Sequence, residues 1–215
     1  MKTFIKTCFA LLLLVAVVMF ASPYYQLYRF KNAIDAGDYT PIITAIDYDS
    51  VRPSLKRQLH HKLDEMMAHQ ALSFLLPLVG AKSSELKDVG TRFIDGAIDG
   101  AITADNLTKL SQGEITKDSE PLLMALGLWL GGEWLDVPKF AQDYLTTGDI
   151  HLAVANQQAL IQQQASIHLK PTTPEIGYCG VNCFFIKTTI KDKPVQVLMS
   201  RHQLVDWRIN ELIIP

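Results

Sequence analysis

The sequence contains no cluster of basic residues and no long tract of glycine, serine or proline. Its 20 lysine and arginine residues are interspersed with 22 aspartate and glutamate residues, which leaves a formal net charge of -2. Nucleic-acid-binding proteins carry a basic face that neutralises phosphates, so we expect no nucleic-acid partner. Because no linker-like tract is present, we expect one domain in the roughly 190 residues that follow the N-terminal segment.

Catalytic and cofactor signatures are also missing. The chain has no G-x-S-x-G, no P-loop and no G-x-G-x-x-G, so we predict no catalytic residues, no cofactor-binding residues and no cofactor. Ser84 and Lys87 match S-x-x-K, in which a lysine beside a serine nucleophile serves acyl transfer, but the S-D-N and K-T-G elements that accompany it are absent. A serine at the start of a helix explains this match better.

Histidine and carboxylate residues recur at one place with helical spacing. His61, Glu65 and His69 follow each other at steps of four residues, and a histidine and a carboxylate one turn apart can share a metal ion. However, His61 and His69 would lie two turns and about 80° apart, and neither forms H-E-x-x-H. We therefore predict a solvated helix face with no metal ligands, and turn or capping roles for Asp47 and Asp49.

Only three cysteines are present, and Cys8 lies in the apolar N-terminal segment. Cys179 and Cys183 enclose residues 180–182 (GVN), so their side chains can meet across a tight turn if the flanking residues are extended. In an oxidising compartment we expect this pair to form a structural disulfide. The spacing is not that of C-x-x-C, and no further thiol ligands lie nearby in sequence, which argues against a redox site or a metal site.

The one strongly apolar run that also carries targeting charges is at the N-terminus. Lys2 and Lys6 flank or enter a stretch whose uncharged core covers residues 8–21, a pattern typical of membrane targeting. Short basic tails stay in the cytoplasm, and long domains that follow them cross largely regardless of their own charge. We therefore expect a single membrane-spanning segment with the bulk of the chain exported.

Two interpretations of this segment remain open. A signal peptide would be cut after Ala21 or Ser22, but Met19 or Phe20 would then stand where the peptidase prefers a small residue. An uncleaved anchor over residues 4–21 reaches the lower end of the roughly 17 to 25 residues that span a bilayer, with the Lys6 amine extending to the headgroups. We favour the anchor, and the alternative is a cleaved protein that is soluble in the periplasm.

Helical spacing dominates between about residues 23 and 147. Ser22 and Pro23 are typical of a helix start and Gly37 of a helix end. Further helices are predicted to open at Thr40 and Pro41, to be capped by Asp49 or Ser50, to begin at Ser83 or Ser84, and to be capped by Asp105. Their predicted buried stripes include Val51, Leu55, Leu59 and Leu63 in one helix and Phe93, Ile94, Ala97 and Ile98 in another.

The apolar period changes to two from about residue 150 onward. Strands are predicted around residues 150–154, 167–169, 184–190, 195–199 and 205–213. Helices followed by antiparallel strands indicate an α+β fold, in which an N-terminal membrane helix and several helices precede a C-terminal β-meander packed on them. We assign residues 1–22 to the signal anchor or signal peptide and 23–215 to one exported domain, helical over about 23–147 and a sheet over about 150–215.

Several segments together resemble a known family. Residues 22–28 (SPYYQLY), 33–38 (AIDAGD) and 46–56 (IDYDSVRPSLK) are similar to the opening of a bacterial family known as domain of unknown function 2939. Residues 101–110 (AITADNLTKL) are similar to its middle motif, and residues 201–215 (RHQLVDWRINELIIP) resemble its closing strand. The chain departs from the family at Ala104, where proline is common, and near Gln203, where glycine is common. The resemblance implies a membrane-tethered bacterial envelope protein, and it supplies no catalytic residues. Together with the expected export, it indicates a single-pass protein of the bacterial inner membrane with its main domain in the periplasm.

No specific biochemical function follows from these features. The anchor and the missing signatures favour a non-catalytic binding or accessory domain of the envelope, whose protein or small-ligand partner is unknown. A first alternative is a hydrolase-like enzyme with a site built from dispersed residues such as His202, Asp206 or the histidines near His61. A second alternative is a structural partner of membrane proteins that uses the apolar stretches at residues 71–81 and 121–135.

Overall fold

The protein combines helices with an antiparallel sheet in a computed structural model that describes residues 2–68, 83–114, 116, 143, 146–147, 152, 156, 173–190 and 193–214. The helices within these ranges are α1 (Lys2–Asp35), α2 (Thr40–Ile43), α3 (Tyr48–Ala68), α4 (Ser83–Ala101) and α5 (Ala104–Ser111). The strands are β1 (Glu175–Gly180), β2 (Cys183–Ile190), β3 (Lys193–Arg201) and β4 (Trp207–Ile213). This order confirms the predicted α+β fold with an apolar N-terminal helix and a C-terminal meander.

The helix α1 runs without a break from the apolar segment into the domain. The prediction that Ser22 and Pro23 start a new helix is wrong, because α1 continues through both residues. A proline is tolerated inside such a helix when side chains satisfy the carbonyl that it leaves free. Here the Ser22 hydroxyl donates to the Met19 carbonyl oxygen over 2.7 Å. Gly37 ends the helix as predicted, with a φ of 71°.

At the start of two helices, the structure differs from the predicted capping residues. The helix α3 begins at Tyr48, directly after Asp47, so neither Asp49 nor Ser50 precedes it. The cap of α5 is Thr103, whose hydroxyl accepts a hydrogen bond from the backbone N–H of Asn106 over 3.2 Å. A cap residue needs an extended backbone so that its side chain can reach that N–H, and Thr103 has one while Asp105 lies inside the first turn.

The four described strands form one antiparallel sheet in the order β1-β2-β3-β4. The strand β1 was not predicted, because its two glycines and short length hide any alternation. The strand predicted around residues 150–154 is wrong at Leu152, which is helical, as is Asn156. Three alternating apolar residues are a short signal that a helix can also contain. The strand predicted at 167–169 lies outside the described residues.

Two clusters of buried side chains hold the helices to the sheet. The first joins α3 and α4 to the sheet and contains Val51, Leu55, Leu59, Ile94, Ile98, Ala101, Ile102, Val195 and Ile214. The predicted stripes of α3 and α4 therefore face each other and the end of the chain. The second cluster joins α1 to the sheet through Phe30, Ala45, Phe184, Met199 and Trp207. It lies directly beneath the point where α1 enters the domain.

A partly buried polar network ties α3 to β4. The Ser54 hydroxyl donates to Glu211 Oε1 over 2.8 Å, and Gln58 Nε2 donates to the Leu212 carbonyl over 2.7 Å. Gln58 Oε1 also accepts the Ile214 N–H over 2.8 Å. Because buried polar groups are costly unless they are paired, these bonds fix how the final strand lies on α3.

Candidate functional site

The most elaborate polar arrangement in the described part of the chain lies where α1 meets the sheet. Pro23 has no N–H, so the carbonyl of Met19, four residues earlier, loses its helical partner. That oxygen accepts from the Ser22 hydroxyl and also from Arg201 Nη1 of β3, over 3.1 Å. The next carbonyl, that of Phe20, accepts from the Tyr178 hydroxyl of β1 over 2.8 Å. Two strands of the sheet therefore donate to the backbone of the apolar helix.

Trp207 is a buried residue at this junction. Its ring is fully buried, and its Nε1–H donates to the Ser22 hydroxyl oxygen over 2.8 Å. The Arg201 guanidinium stacks over the ring at 4.5 Å from the ring centroid, which is a favourable cation–π geometry. Ser22 thus donates to its own helix and accepts from the sheet, so its hydroxyl is used in both directions.

Arg201 connects the helix to the β1–β2 and β3–β4 loops of the sheet. Besides the Met19 carbonyl, its Nη1 donates to the Leu204 carbonyl over 2.6 Å, and its Nη2 donates to the Val181 carbonyl over 3.3 Å. A guanidinium suits this task because its donors spread in a rigid plane. One guanidinium therefore contacts the β1–β2 loop, the β3–β4 loop and the last turn of the apolar segment of α1, which places all three side by side.

Tyr178 is the centre of an aromatic cluster at the same junction. Its ring contacts those of Phe20, Tyr24, Phe184 and Trp207 edge to face, with centroid distances of 5.8, 6.3, 5.2 and 6.1 Å. Such pairs add to the stability that burial provides. Burial raises the pKa of Tyr178 above its ordinary value, while the nearby Arg201 guanidinium opposes this rise. The rise favours the neutral phenol, which is the form that donates to the Phe20 carbonyl.

The loop between β1 and β2 is closed by a disulfide. Cys179 and Cys183 are joined, with their Cα atoms 5.0 Å apart. The bond closes the turn that carries Val181, whose carbonyl accepts from Arg201. Cys8, by contrast, is free and exposed on α1.

The histidines considered as metal ligands do not converge in the described structure. His61 Nδ1 lies 3.5 Å from Glu65 Oε1, and both side chains are largely exposed. Asp64 pairs instead with Lys87 of α4 over 2.7 Å, and His69 lies outside the described residues. Within the parts of the chain that the structure describes, no group of three or more His, Cys, Asp and Glu side chains could hold a metal ion.

The other candidates have structural roles. Lys87, the lysine of the S-x-x-K match, forms an ion pair with Asp64. Asp47 Oδ2 accepts from the Ser50 hydroxyl over 2.7 Å at the start of α3. His202 and Asp206 are brought together only through a backbone bond of 2.9 Å across the β3–β4 loop. The Asp206 carboxylate instead lies 3.3 Å from Arg208 Nε.

An open groove of about 480 Å³ lies beside α3. His61, Lys62 and Arg57 border it, together with Gln58 and Glu65. The Gln58 amide is already used by the end of the chain, and Glu65 lies 3.0 Å from Lys62 Nζ. The ionisable side chains at the groove are engaged with one another, since His61 Nδ1 and Lys62 Nζ lie 3.5 and 3.0 Å from the Glu65 carboxylate.

Sequence reasoning missed the residues that form the junction. Arg201, Tyr178 and Trp207 are recognised as junction residues only in the folded structure, where the sheet packs against α1. A proline directly after an apolar helix segment was the available signal, because such a proline leaves a carbonyl that needs another donor. The sequence does not identify which distant side chain supplies it.

Part of the chain matches a known protein family. Residues 12–110 match a family described as "Protein of unknown function (DUF2939)". The matched range begins inside the apolar part of α1 and ends in α5, so the similarity noted for residues 201–215 lies outside it. No curated protein and no solved structure matches the chain.

Proposed function

Through residues 12–110 the chain belongs to the DUF2939 family, and we propose that it is a single-pass protein of the bacterial inner membrane with a periplasmic, non-catalytic binding or accessory domain. The carrying observation is that α1 is long and apolar enough to cross a membrane, with none of its apolar stretch buried against the domain. The segment from Phe4 to Ala21 would extend about 27 Å, close to the hydrocarbon thickness of a bilayer.

The junction supports an uncleaved anchor over a signal peptide. Cleavage after Ala21 would remove the Met19 and Phe20 carbonyls to which Arg201 and Tyr178 donate. The partly buried Arg201 guanidinium would lose one of its acceptors, which is unfavourable. Cleavage after Ser22 would also remove the hydroxyl that pairs with the Trp207 indole. These contacts favour a chain that keeps its first 22 residues.

The proposed orientation rests on charge and on the cysteine pair. Lys2 and Lys6 precede the apolar core and favour a cytoplasmic N-terminus. The disulfide between Cys179 and Cys183 is suited to an oxidising compartment on the other side of the membrane. The periplasmic partner that we propose for the domain is a protein or a small ligand.

Expression of the full-length chain with a C-terminal reporter tests this proposal. A fused alkaline phosphatase should be active, a fused fluorescent protein that folds only in the cytosol should stay dark, and alkaline carbonate should leave the chain in the membrane pellet. The mass of the extracted protein should correspond to an intact N-terminus. Purified domain carrying α1 in detergent should capture a partner from envelope extracts.

A matched pair of variants controls the experiment. Leu12→Lys with Val15→Lys places two charges in the apolar segment, where charged side chains are costly, and should release the chain from alkaline-washed membranes. Gln112→Lys adds a charge at an exposed position of the domain and should leave the chain in the pellet. A cytosolic reporter signal, or a mature protein that begins near Tyr24, would refute the topology that we propose.

A further inference from the structure

Two hairpin loops of the sheet lie beside the apolar helix at its exit from the proposed membrane. In a four-stranded meander the β1–β2 and β3–β4 loops lie at the same end of the sheet, and the β2–β3 connection lies at the other. Arg201 donates to the carbonyls of Met19, Val181 and Leu204 at once. Because one guanidinium spans only a few ångströms, both loops lie level with the last turn of the apolar segment.

The tips of these loops carry apolar side chains that contact little of the protein. Val181 is 67% exposed, Leu204 is 64% exposed and Val205 is 50% exposed. Turns of this kind usually carry Gly, Asn, Asp or Ser at their tips, because those residues favour the turn and are well solvated. Phe20 and Tyr24 of α1 are exposed on the same level. We call these five residues the apolar rim: Phe20, Tyr24, Val181, Leu204 and Val205.

The rest of the domain extends away from this level. The helix α1 continues for 14 residues beyond Ala21, to Asp35, a rise of about 21 Å. Along that rise it packs first on Trp207 and then, through Phe30, on the remainder of the second buried cluster. The opposite end of β1, at Glu175, lies five residues from Gly180, or about 17 Å away. The five rim residues lie together at the end of the sheet beside the apolar segment, whereas the exposed apolar side chains of Tyr28, Ile34 and Ile176 lie further along α1 and β1.

We propose that the apolar rim is a lipid-binding surface that lies in the headgroup and upper acyl region of the membrane that α1 spans. This inference rests on the proposed anchor. It adds that the domain contacts the bilayer surface directly and is not separated from it by a spacer. Tyrosine is favoured at this depth because its ring is apolar and its hydroxyl is polar. The contacts of Arg201 and Tyr178 with α1 hold the rim at that depth.

Depth-dependent quenching of the full-length protein in liposomes tests the rim. An environment-sensitive fluorophore is attached to Leu204→Cys or to Val205→Cys, each combined with Cys8→Ser, and the protein is reconstituted at high dilution into phosphatidylethanolamine and phosphatidylglycerol vesicles. Lipids that carry a nitroxide near the top of the acyl chain should quench both labels several-fold more than a label at Glu175→Cys. Both emission maxima should also shift to the blue.

A fluorophore on the native Cys8 distinguishes failure of the rim proposal from failure of the anchor proposal. If a label at Cys8 is quenched but those at positions 204 and 205 behave like the label at position 175, the rim proposal is overturned and the anchor stands. If the Cys8 label also escapes quenching by lipid-borne nitroxide, both proposals fall. Leu204 is exposed, so its replacement leaves the buried clusters intact.

Discussion

The indole N–H of Trp207 donates to the hydroxyl oxygen of Ser22 over 2.8 Å, in a bond that is buried and joins residues 185 positions apart. It connects the first residue of the last strand to the middle of the helix that carries the apolar segment. Ser22 is also the residue next to Pro23, so the bond lies where the helix has lost one of its own hydrogen bonds. Several consequences of this junction can be measured.

Replacement of Ser22 by alanine should destabilise the domain by about 1 to 3 kcal/mol, because the Trp207 N–H would be left buried without an acceptor. Chemical unfolding of the full-length protein in detergent, followed by tryptophan fluorescence, measures the change. Thr108→Ala is the control. The Thr108 hydroxyl is exposed and donates only to a carbonyl of its own helix, so its loss should change stability by less than about 0.5 kcal/mol. Equal effects of the two variants would contradict the importance of the junction.

Arg201→Lys should loosen the contact between α1 and both hairpin loops. A lysine keeps the charge but cannot donate in several fixed directions or stack as a plane on Trp207. We expect a loss of about 1 to 3 kcal/mol and faster amide hydrogen exchange in the loops that carry Val181 and Leu204. Arg92→Lys is the matched control, because the exposed Arg92 side chain donates to the Asp88 carbonyl of its own helix. Exchange rates that rise equally in both variants would argue against a specific role of Arg201.

Tyr178 should make the stability of the domain fall at alkaline pH. Burial raises its pKa above the ordinary value of 10.0, so the folded state favours the neutral phenol. A group with a raised folded pKa contributes stability that is fully present below its unfolded pKa and is lost as the pH rises through the folded pKa. The ionised form would also be unable to donate to the Phe20 carbonyl.

Unfolding curves recorded at a series of alkaline pH values test this dependence. Tyr178→Phe should be less stable than the wild type at neutral pH, and the difference between the two proteins should narrow as the pH rises beyond 10.0. Comparison with the wild type removes the contribution of Tyr48, whose pKa is also raised by burial. A difference that stays constant across the alkaline range would show that Tyr178 does not titrate in this way.

The disulfide should contribute modestly to stability. It joins residues only four positions apart, and closing so short a loop is worth about 2 kcal/mol by chain entropy. Cys179→Ser combined with Cys183→Ser should therefore fold but unfold at a lower denaturant concentration, with the largest increase in hydrogen exchange in the β1–β2 loop.

Thiol labelling of the protein taken directly from cells examines the same bond. Before reduction only Cys8 should react, and after reduction all three cysteines should react. The Cys8→Ser variant provides the control and should show no labelling until a reductant is added. Three reactive thiols before reduction would refute both the oxidised pair and the compartment that we propose for it.

Local patterns predicted much of this architecture. The stripe of Val51, Leu55 and Leu59 on α3 is buried as expected, because apolar residues at helical spacing must face a neighbour. Glycine at position 37 ends α1, and the alternation around Val195 and Met199 produces a strand. These features depend on residues that are near one another in the chain, so the sequence displays them directly.

Other features required the folded chain. A tertiary acceptor or donor is not visible in a local pattern, so the sequence around Ser22 and Pro23 indicates a helix start where α1 in fact continues. Likewise, Asp105 and Thr103 both suit a cap, and only the backbone conformation selects Thr103. The strand β1 has so little alternation that its pairing with β2 is what defines it.

The order of an apolar N-terminal helix, a helical region and an antiparallel sheet is predictable from the residues alone, since hydrophobic periodicity acts over a few residues and reports burial directly. The contacts of Arg201, Tyr178 and Trp207 with residues 19 to 22 of that helix become apparent in the folded chain. Such bonds join groups more than 150 positions apart, and their geometry exists only after both buried clusters have aligned the sheet against α1. That is the physical reason why the fold could be read from the sequence and the junction could not.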